Sequence, residues 1–166
     1  MPPFCLEPLS DVHDRSSFGC GEEALDRYLR TQATQDIRRR IASCFVAVEV
    51  ATRRLAAYYT ISAAGIPTTE LPSDLIKRLP RYPTLPAVRI GRLAVDMRFH
   101  GRGLGGALLA DAVRRTLQAP PAVFTLLVDA KNDQAVAFYR HYGFLPLASQ
   151  PKTLFLPLAT AEKLLR

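Results

Sequence analysis

The sequence predicts a mixed α/β fold of the α+β kind, in which helices flank a mostly antiparallel sheet. Two β-prone runs, 44–50 and 55–62, are joined by a short turn and predict a hairpin. A helical pattern over 103–117 lies between two strand-like runs, 88–95 and 123–128. The second of these runs is apolar on both faces, which is typical of a central strand.

The other elements follow from helical spacing and from residues that end helices. Apolar residues at helical intervals predict one helix from Gly21 to about Arg40. Another helix, over 133–142, is expected to end at Gly143. The C-terminal part is expected to contain two closing strands, 144–147 and 153–158, and a last helical turn over 160–166.

Residues 65–86 are a proline-rich excursion between strands. Five prolines interrupt it, and Ser73 is expected to cap a short helix that runs through Leu79. Long ordered excursions often carry function, although a simple connector gives the same pattern.

The apolar alternation of the strand 88–95 changes phase. Val88 and Ile90 occupy even positions, whereas Leu93 and Val95 occupy odd ones. A β-bulge at Gly91 would explain the slip. Bulges re-aim backbone groups, and they are frequent beside active sites.

The composition is that of an ordinary globular protein, with 48% apolar and 22% charged residues, and we expect one domain over 1–166. No run approaches the ~18 apolar residues that cross a membrane, and the N-terminal segment does not resemble a signal peptide. Three cysteines at unpatterned spacings predict neither a disulfide framework nor a metal site, and they fit a cytoplasmic protein.

The chain is basic, with 22 Lys and Arg against 15 Asp and Glu and a net charge of +7. Either this charge is simply solvated or the chain meets a polyanion such as RNA or an anionic cofactor. The charge is concentrated in four clusters, which are Arg38–Arg40; Lys77, Arg78 and Arg81; Arg98 and Arg102; and Arg114 and Arg115.

A glycine-rich turn, His100-Gly-Arg-Gly-Leu-Gly-Gly106, follows the strand 88–95 and begins a helix. Glycines permit positive φ and close approach of a ligand, and the first amides of a helix attract anions, so a pyrophosphate is the expected ligand. A dinucleotide-binding fold would need an acidic residue about 20 positions later, and a P-loop would need Gly-Lys-Ser/Thr. The sequence has neither.

Two segments resemble signatures of the GCN5-related N-acetyltransferase (GNAT) family. The turn is similar to the family's Gln/Arg-x-x-Gly-x-Gly/Ala loop, with His100 in place of Gln or Arg, and 132–144 is similar to Asn-x-x-Ala-x-x-Phe-Tyr-x-x-x-Gly-Phe. The resemblance implies a GNAT fold with a bulged fourth strand and acetyl-CoA in the splay between strands four and five. It implies that the cofactor is bound by Leu93, Ala94, Val95, His100, Gly101, Arg102, Gly103, Leu104, Gly105, Gly106 and Asn132. Two of these side chains have an alternative to cofactor binding. His100 also fits a solvated loop residue, and Asn132 also fits a helix cap.

A narrower resemblance covers nearly the whole chain. Segments such as Tyr58-Tyr-Thr-Ile-Ser-Ala63 and Leu79-Pro-Arg-Tyr-Pro83 are similar to the GNAT toxins of bacterial type II toxin–antitoxin modules. This implies acetylation of the α-amine of aminoacyl-tRNA, inhibition of translation, a ribbon–helix–helix antitoxin and a homodimer. It also implies that Tyr139 is catalytic and donates a proton to the departing CoA thiolate. The alternative is that Tyr139 and its neighbour form only a core aromatic pair.

The acceptor chemistry can be weighed separately. An α-amine has a pKa of about 7.7–8.0, against about 10.4 for lysine, so part of it is already nucleophilic at neutral pH. Its acetylation can proceed with a weak general base or none. The strand Arg92–Asp96 has no glutamate where many lysine-directed relatives place one, and Asp96 is expected to be a strand-end cap.

The basic clusters are the expected tRNA contacts, which are Arg38, Arg39, Lys77, Arg78, Arg81 and Arg92. A solvated face or contact with an acidic antitoxin tail would explain the same charges. Two other functions stay open. One is an ordinary GNAT N-acetyltransferase of a small amine or a protein N-terminus, and the other is a non-catalytic CoA-binding co-repressor.

Overall fold

The computed structural model describes residues 2–164, of which seven segments form one sheet flanked by helices. The strands are β1 (Phe4–Pro8), β2 (Ser43–Glu49), β3 (Leu55–Pro67), β4 (Thr84–Val95), β5 (Thr125–Asp129), β6 (Leu145–Pro146) and β7 (Thr153–Pro157). The helices are α1 (Glu23–Thr31), α2 (Ala33–Arg38), α3 (Ser73–Ile76), α4 (Leu104–Gln118), α5 (Asp133–His141) and α6 (Leu158–Leu164).

The strand order is β1-β2-β3-β4-β5-β7-β6. The β4–β5 pair is parallel, from Ala87 opposite Thr125 to Ile90 opposite Val128, and α4 provides the crossover that a parallel pair requires. The β1–β2, β2–β3, β5–β7 and β6–β7 pairs are antiparallel. The predicted mixed, mostly antiparallel sheet, its hairpin and its buried central strand β5 are therefore confirmed.

The chain divides into two compact units, 1–62 with 91–112 and 63–90 with 113–166. The apolar core of the first unit includes Phe18, Tyr28, Leu29, Val46, Val48, Tyr58 and Ala94. The core of the second unit contains Ile66, Leu71, Leu85, Ala87, Leu127, Leu147 and Phe155. The single domain expected over 1–166 stays a prediction.

The helix predicted from Gly21 to Arg40 is in fact two helices, α1 and α2. Gln32 interrupts them: its amide closes α1 on the Tyr28 carbonyl at 2.9 Å, while its φ and ψ of −118° and −31° redirect the chain. The Gln32 side chain donates to Asp36 in α2 at 3.0 Å, which stabilises the new start. Apolar residues keep their helical spacing across the break, so the pattern alone did not mark it.

The prediction for Ser73 was also wrong. Ser73 is the first residue of α3, Pro72 precedes it in the capping position, and no side chain caps this helix. The helix ends at Ile76, and the amides of Arg78 and Leu79 continue as tighter turns onto Leu75 and Ile76. At the C-terminus, the predicted helical turn over 160–166 begins earlier, at Leu158, and residues 165 and 166 lie outside the described part.

The phase change predicted in β4 at Gly91-Arg92 was wrong, because the buried residues on either side of Gly91, Ile90 and Ala94, both occupy even positions. Leu85 and Ala87 are buried at odd positions, and Ile90 and Ala94 at even ones, so the change falls between Ala87 and Ile90. The predicted bulge at Gly91 stays a prediction. Among the described residues, no helix is long and apolar enough to span a bilayer.

The second core depends on Phe155, which has no exposed surface and lies opposite the 47%-exposed Leu145 on β6. We expect Phe155→Ala to lower the free energy of unfolding by about 3–5 kcal/mol, because a buried aromatic leaves a cavity. Leu145→Ala is the matched control and should change it by less than about 1 kcal/mol. Urea unfolding measures both, and equal effects would contradict this account of the core.

Candidate active site

The glycine-rich turn is shaped by Gly101 and Gly103, both at φ +77°. Other residues rarely adopt this conformation, and a Cβ added at either glycine would meet nothing within 4 Å, so space lies open over the backbone. The first helical hydrogen bond of α4 is donated by the Ala107 amide to the Gly103 carbonyl at 3.1 Å. The amides of residues 104–106 therefore precede the helical hydrogen bonds. The residues present therefore fit a pyrophosphate, because these amides and the helix dipole attract an anion that can approach closely.

Asp96 fixes the chain between β4 and this turn. It is 1% exposed, and its Oδ1 accepts from the Arg98 amide at 2.8 Å and from Arg98 Nε at 3.0 Å. Its Oδ2 accepts from Arg98 Nη2 at 3.0 Å and from the Gly19 amide at 2.9 Å. Burial opposes ionisation, but the hydrogen bonds and the arginine charge outweigh it and hold the pKa of Asp96 below its usual range. The predicted capping role is confirmed.

His100 ties the turn back to β4. Its Nε2 lies 2.8 Å from the Val95 carbonyl oxygen. A carbonyl oxygen only accepts, so Nε2 carries a proton and donates it to the Val95 carbonyl. The side chain thus connects the turn expected to hold the pyrophosphate with the strand expected to hold the pantetheine. This role was missed from the sequence, which predicted either a phosphate contact or a solvated loop residue.

The remaining cofactor candidates of the first unit have varied surroundings. Leu93 and Val95 are half-buried, whereas Ala94 belongs to the core. The guanidinium carbon of Arg102 lies 5.0 Å from the ring centre of Phe4, and its Nη1 lies 3.9 Å from Glu49 Oε2. Arg102 is therefore held against β1 and β2, and its contact with the cofactor stays a prediction.

Tyr139 lies on α5, within the second unit. Asn132 caps this helix, since its Oδ1 accepts from the Ala135 amide at 2.9 Å, and Gly143 follows it at φ +95°. Tyr139 is 8% exposed, and its ring packs edge-to-face on Phe138 and Phe144 at centroid distances of 5.2 and 5.5 Å. Burial, with a smaller contribution from Asp129, raises the pKa of Tyr139 to about 12. The phenol is therefore neutral at physiological pH.

The predicted tRNA contacts also differ in their surroundings. Arg38 and Arg39 are exposed, as are the three cations of the proline-rich excursion, Lys77, Arg78 and Arg81. Arg92 is instead half-buried, with its guanidinium carbon 3.5 Å from the ring centre of Tyr28. No cluster of three or more metal-ligating side chains is found within residues 2–164.

Comparisons with known proteins identify the family of this chain. Residues 78–154 match the model of the acetyltransferase (GNAT) domain. The tRNA-acetylating toxin of Mycobacterium tuberculosis is 33% identical over 159 residues, which cover 95% of this chain and 93% of the relative. A solved structure of AtaT complexed with acetyl-methionyl-tRNAfMet superposes with a TM-score of 0.87 at 31% identity, covering 98% of this chain and 99% of that one.

A further solved structure is a tyrosine-to-phenylalanine mutant of the AtaT toxin bound to the C-terminus of the antitoxin AtaR, with a TM-score of 0.80, 29% identity and 98% coverage of both chains. The chain therefore belongs to the GNAT acetyltransferases, which makes it an acetyl-CoA-dependent N-acetyltransferase. Within that family it belongs with the acetyltransferase toxins.

We expect His100→Ala to raise the KM for acetyl-CoA about 2- to 10-fold with little change in kcat, because a hydrogen bond that orders the turn is lost. His100→Gln should recover much of the loss, since its amide also donates. Steady-state kinetics at saturating acceptor measure the effect. His141→Ala, at an exposed histidine outside the turn, is the control, and equal KM values for the two alanine variants would contradict the tie.

We expect Asp96→Asn to destabilise the fold at pH 7 by about 2 kcal/mol, because charge-assisted hydrogen bonds become neutral. A lowered carboxyl pKa stabilises the folded state above the unfolded value of about 3.9, and this stabilisation is lost as pH falls through the folded-state value. The difference between wild type and variant should therefore shrink below about pH 4. Urea unfolding against pH measures it, with Asp11→Asn at an exposed site as control; a pH-independent difference would contradict the assignment.

Proposed function

We propose that this protein transfers acetyl from acetyl-CoA to the α-amine of aminoacyl-tRNA and so blocks translation. The observation that carries the proposal is the match along 95% of the chain to a tRNA-acetylating toxin. The AtaT complex with acetyl-methionyl-tRNA supports the same substrate class at 31% identity.

The donor is proposed to lie along the end of β4 and the glycine-rich turn. Acetyl-CoA supplies the thioester and a thiolate leaving group. The backbone of Leu93–Val95 would hold the pantetheine, and the amides of residues 101–106 the pyrophosphate. Oδ1 of Asn132 already accepts the hydrogen bond that caps α5, so its amide nitrogen is proposed to make the contact with the donor.

Tyr139 is proposed to stabilise the departing thiolate as a hydrogen-bond donor. A thiol has a pKa of about 8.5, so complete proton transfer from a phenol with a pKa of about 12 is uphill by roughly 5 kcal/mol. A hydrogen bond that strengthens as charge develops on sulfur avoids this cost. Burial therefore favours a phenol that keeps its proton while it donates a hydrogen bond to the departing sulfur.

Two buried carboxylates of the first unit, Asp96 and Asp36, are poor general bases. Asp96 is committed to Arg98 and Gly19, as described above. Hydrogen bonds from Gln32 and Tyr28 hold the pKa of Asp36 below its usual range despite its burial. Both carboxylates are thus weakly basic, which suits an acceptor amine that is partly deprotonated in solution.

The exposed cations Arg38, Arg39, Lys77, Arg78 and Arg81 are proposed to contact tRNA phosphates, together with Arg92. The partner proposed to neutralise the activity is a ribbon–helix–helix antitoxin. The structure of AtaT with AtaR supports an antitoxin as the partner. A homodimer that acts in the cytoplasm completes the proposal.

The test is incubation of the protein with acetyl-CoA and charged tRNA, followed by mass analysis of the released amino acids. Wild type should acetylate their α-amines, and Tyr139→Phe should lower kcat by about 100-fold or more. Tyr142→Phe, at the partly exposed end of the same helix, is the control and should stay active. Because the pKa of Tyr139 is raised to about 12, its ionisation should cause no loss of rate near pH 10.

The other functions give different outcomes. Acetylation of free amines or protein N-termini, without acetylation of charged tRNA, would favour an ordinary N-acetyltransferase. Induced expression provides a second readout, in which wild type should arrest growth and Tyr139→Phe should not. If both proteins were harmless and equally active in repression, the co-repressor would be favoured instead.

A further inference from the structure

A small pocket in the proline-rich excursion is not used by the acetyl-transfer residues. It has a volume of about 290 Å³, and its lining includes Thr68, Ile76, Arg81 and Tyr82. This volume lies at the small end of ligand sites and suits one planar group rather than a helix. The Tyr82 side chain is 62% exposed, although it lines the pocket.

The excursion that carries the pocket is anchored on its inner side. Leu71 is buried in the second core, and Leu75 and Leu79 pack against that core. Thr68 donates from its amide and its hydroxyl to the Pro83 carbonyl, at 3.1 and 3.3 Å. The loop is therefore held in place without help from Ile76 and Tyr82, which are exposed.

Three cations lie on the same excursion as this exposed aromatic ring, and one of them, Arg81, lines the pocket with it. Lys77, Arg78 and Arg81 are exposed, and none of them takes part in the ion pairs found within residues 2–164. The excursion has two acidic residues. Glu70 accepts hydrogen bonds from the amide and hydroxyl of Ser149, so Asp74 is the other acidic group near these cations in the sequence. An aromatic platform beside unpaired cations is the arrangement that binds single-stranded nucleic acid, with bases stacked and phosphates paired.

We propose that this pocket holds an unpaired nucleobase of the tRNA substrate, stacked on Tyr82, with the flanking phosphates on Lys77, Arg78 and Arg81. The inference rests on the aminoacyl-tRNA function proposed above and adds the place where an unpaired base is bound. An acidic peptide, such as an antitoxin tail, would pair with the cations but would leave the exposed ring and the small pocket unexplained. RNA is therefore the occupant that uses all three features.

The experiment measures binding to uncharged tRNA and to a short single-stranded RNA that carries a fluorescent adenine analogue. The parent is full-length protein with Tyr139→Phe, which should not arrest growth when it is expressed. Tyr82→Ala should raise the Kd about tenfold and abolish quenching of the analogue, because base–aromatic stacking is worth about 1–3 kcal/mol. The salt dependence of its Kd should not change. Tyr82→Phe keeps the ring and should bind within about twofold of the parent.

The cations are tested by the salt dependence of the same binding. Arg81→Ala should reduce the slope of log K against log salt by about one, because one phosphate contact is lost. Arg114→Ala, at an exposed arginine on α4, is the matched control and should leave the slope unchanged. Thermal midpoints of all variants should equal the parent's, since the substituted side chains are exposed.

Unchanged tRNA affinity in Tyr82→Ala would overturn the inference, as would equal losses in Tyr82→Ala and Tyr82→Phe. A loss of antitoxin binding by Tyr82→Ala with intact tRNA binding would assign the pocket to a peptide instead. Acetylation of charged tRNA is assayed separately with the Tyr139 side chain intact. If charged tRNA is acetylated but Tyr82 does not affect RNA binding, only the inference about the pocket is overturned. If charged tRNA is not acetylated, the proposed function is overturned.

Discussion

The buried carboxylate of Asp96 is the constraint on which the geometry of the donor site depends. It accepts four hydrogen bonds at the point where β4 ends, one of them from Gly19, which is 77 residues away in the sequence. Its own amide donates to Ala56 at 2.8 Å, and the Met97 amide donates to Gly19 at 2.8 Å. The loop around Gly19, β3 and the start of the glycine-rich turn are thus joined through one residue.

The positions of the turn and the strand follow from this junction. The 3-10 turn Met97–Phe99 begins directly after Asp96, and His100 closes back onto Val95. Gly101 and Gly103 then adopt positive φ, and α4 starts at Leu104. Contacts within the protein itself hold together a strand end, an amide-rich turn and a helix N-terminus, so less conformational entropy is lost on binding an anion.

The elements that short sequence patterns specify were predicted from the sequence. The glycines, the helix after them and the apolar run at 125–128 carry the parallel β4–β5 unit, and the signature at 132–144 placed Tyr139 on α5. The break at Gln32 was invisible, because apolar spacing continues across it. Strand β1 was not predicted, because a five-residue strand between prolines acquires its conformation from pairing with β2. The role of His100 and the network of Asp96 depend on contacts that exist only in the folded chain, and the exposure of Tyr82 has no local signature.

The position of β1 at the end of the strand order has a consequence for assembly. Only five residues, Phe4–Pro8, form this edge, and Pro8 has no amide to donate. The ring of Phe4 meets Phe99 at 5.7 Å and lies beneath the guanidinium of Arg102, so the donor turn packs against the first residue of the edge. Such a short edge offers few backbone groups for another strand to extend the sheet. Strand addition at this edge is therefore disfavoured.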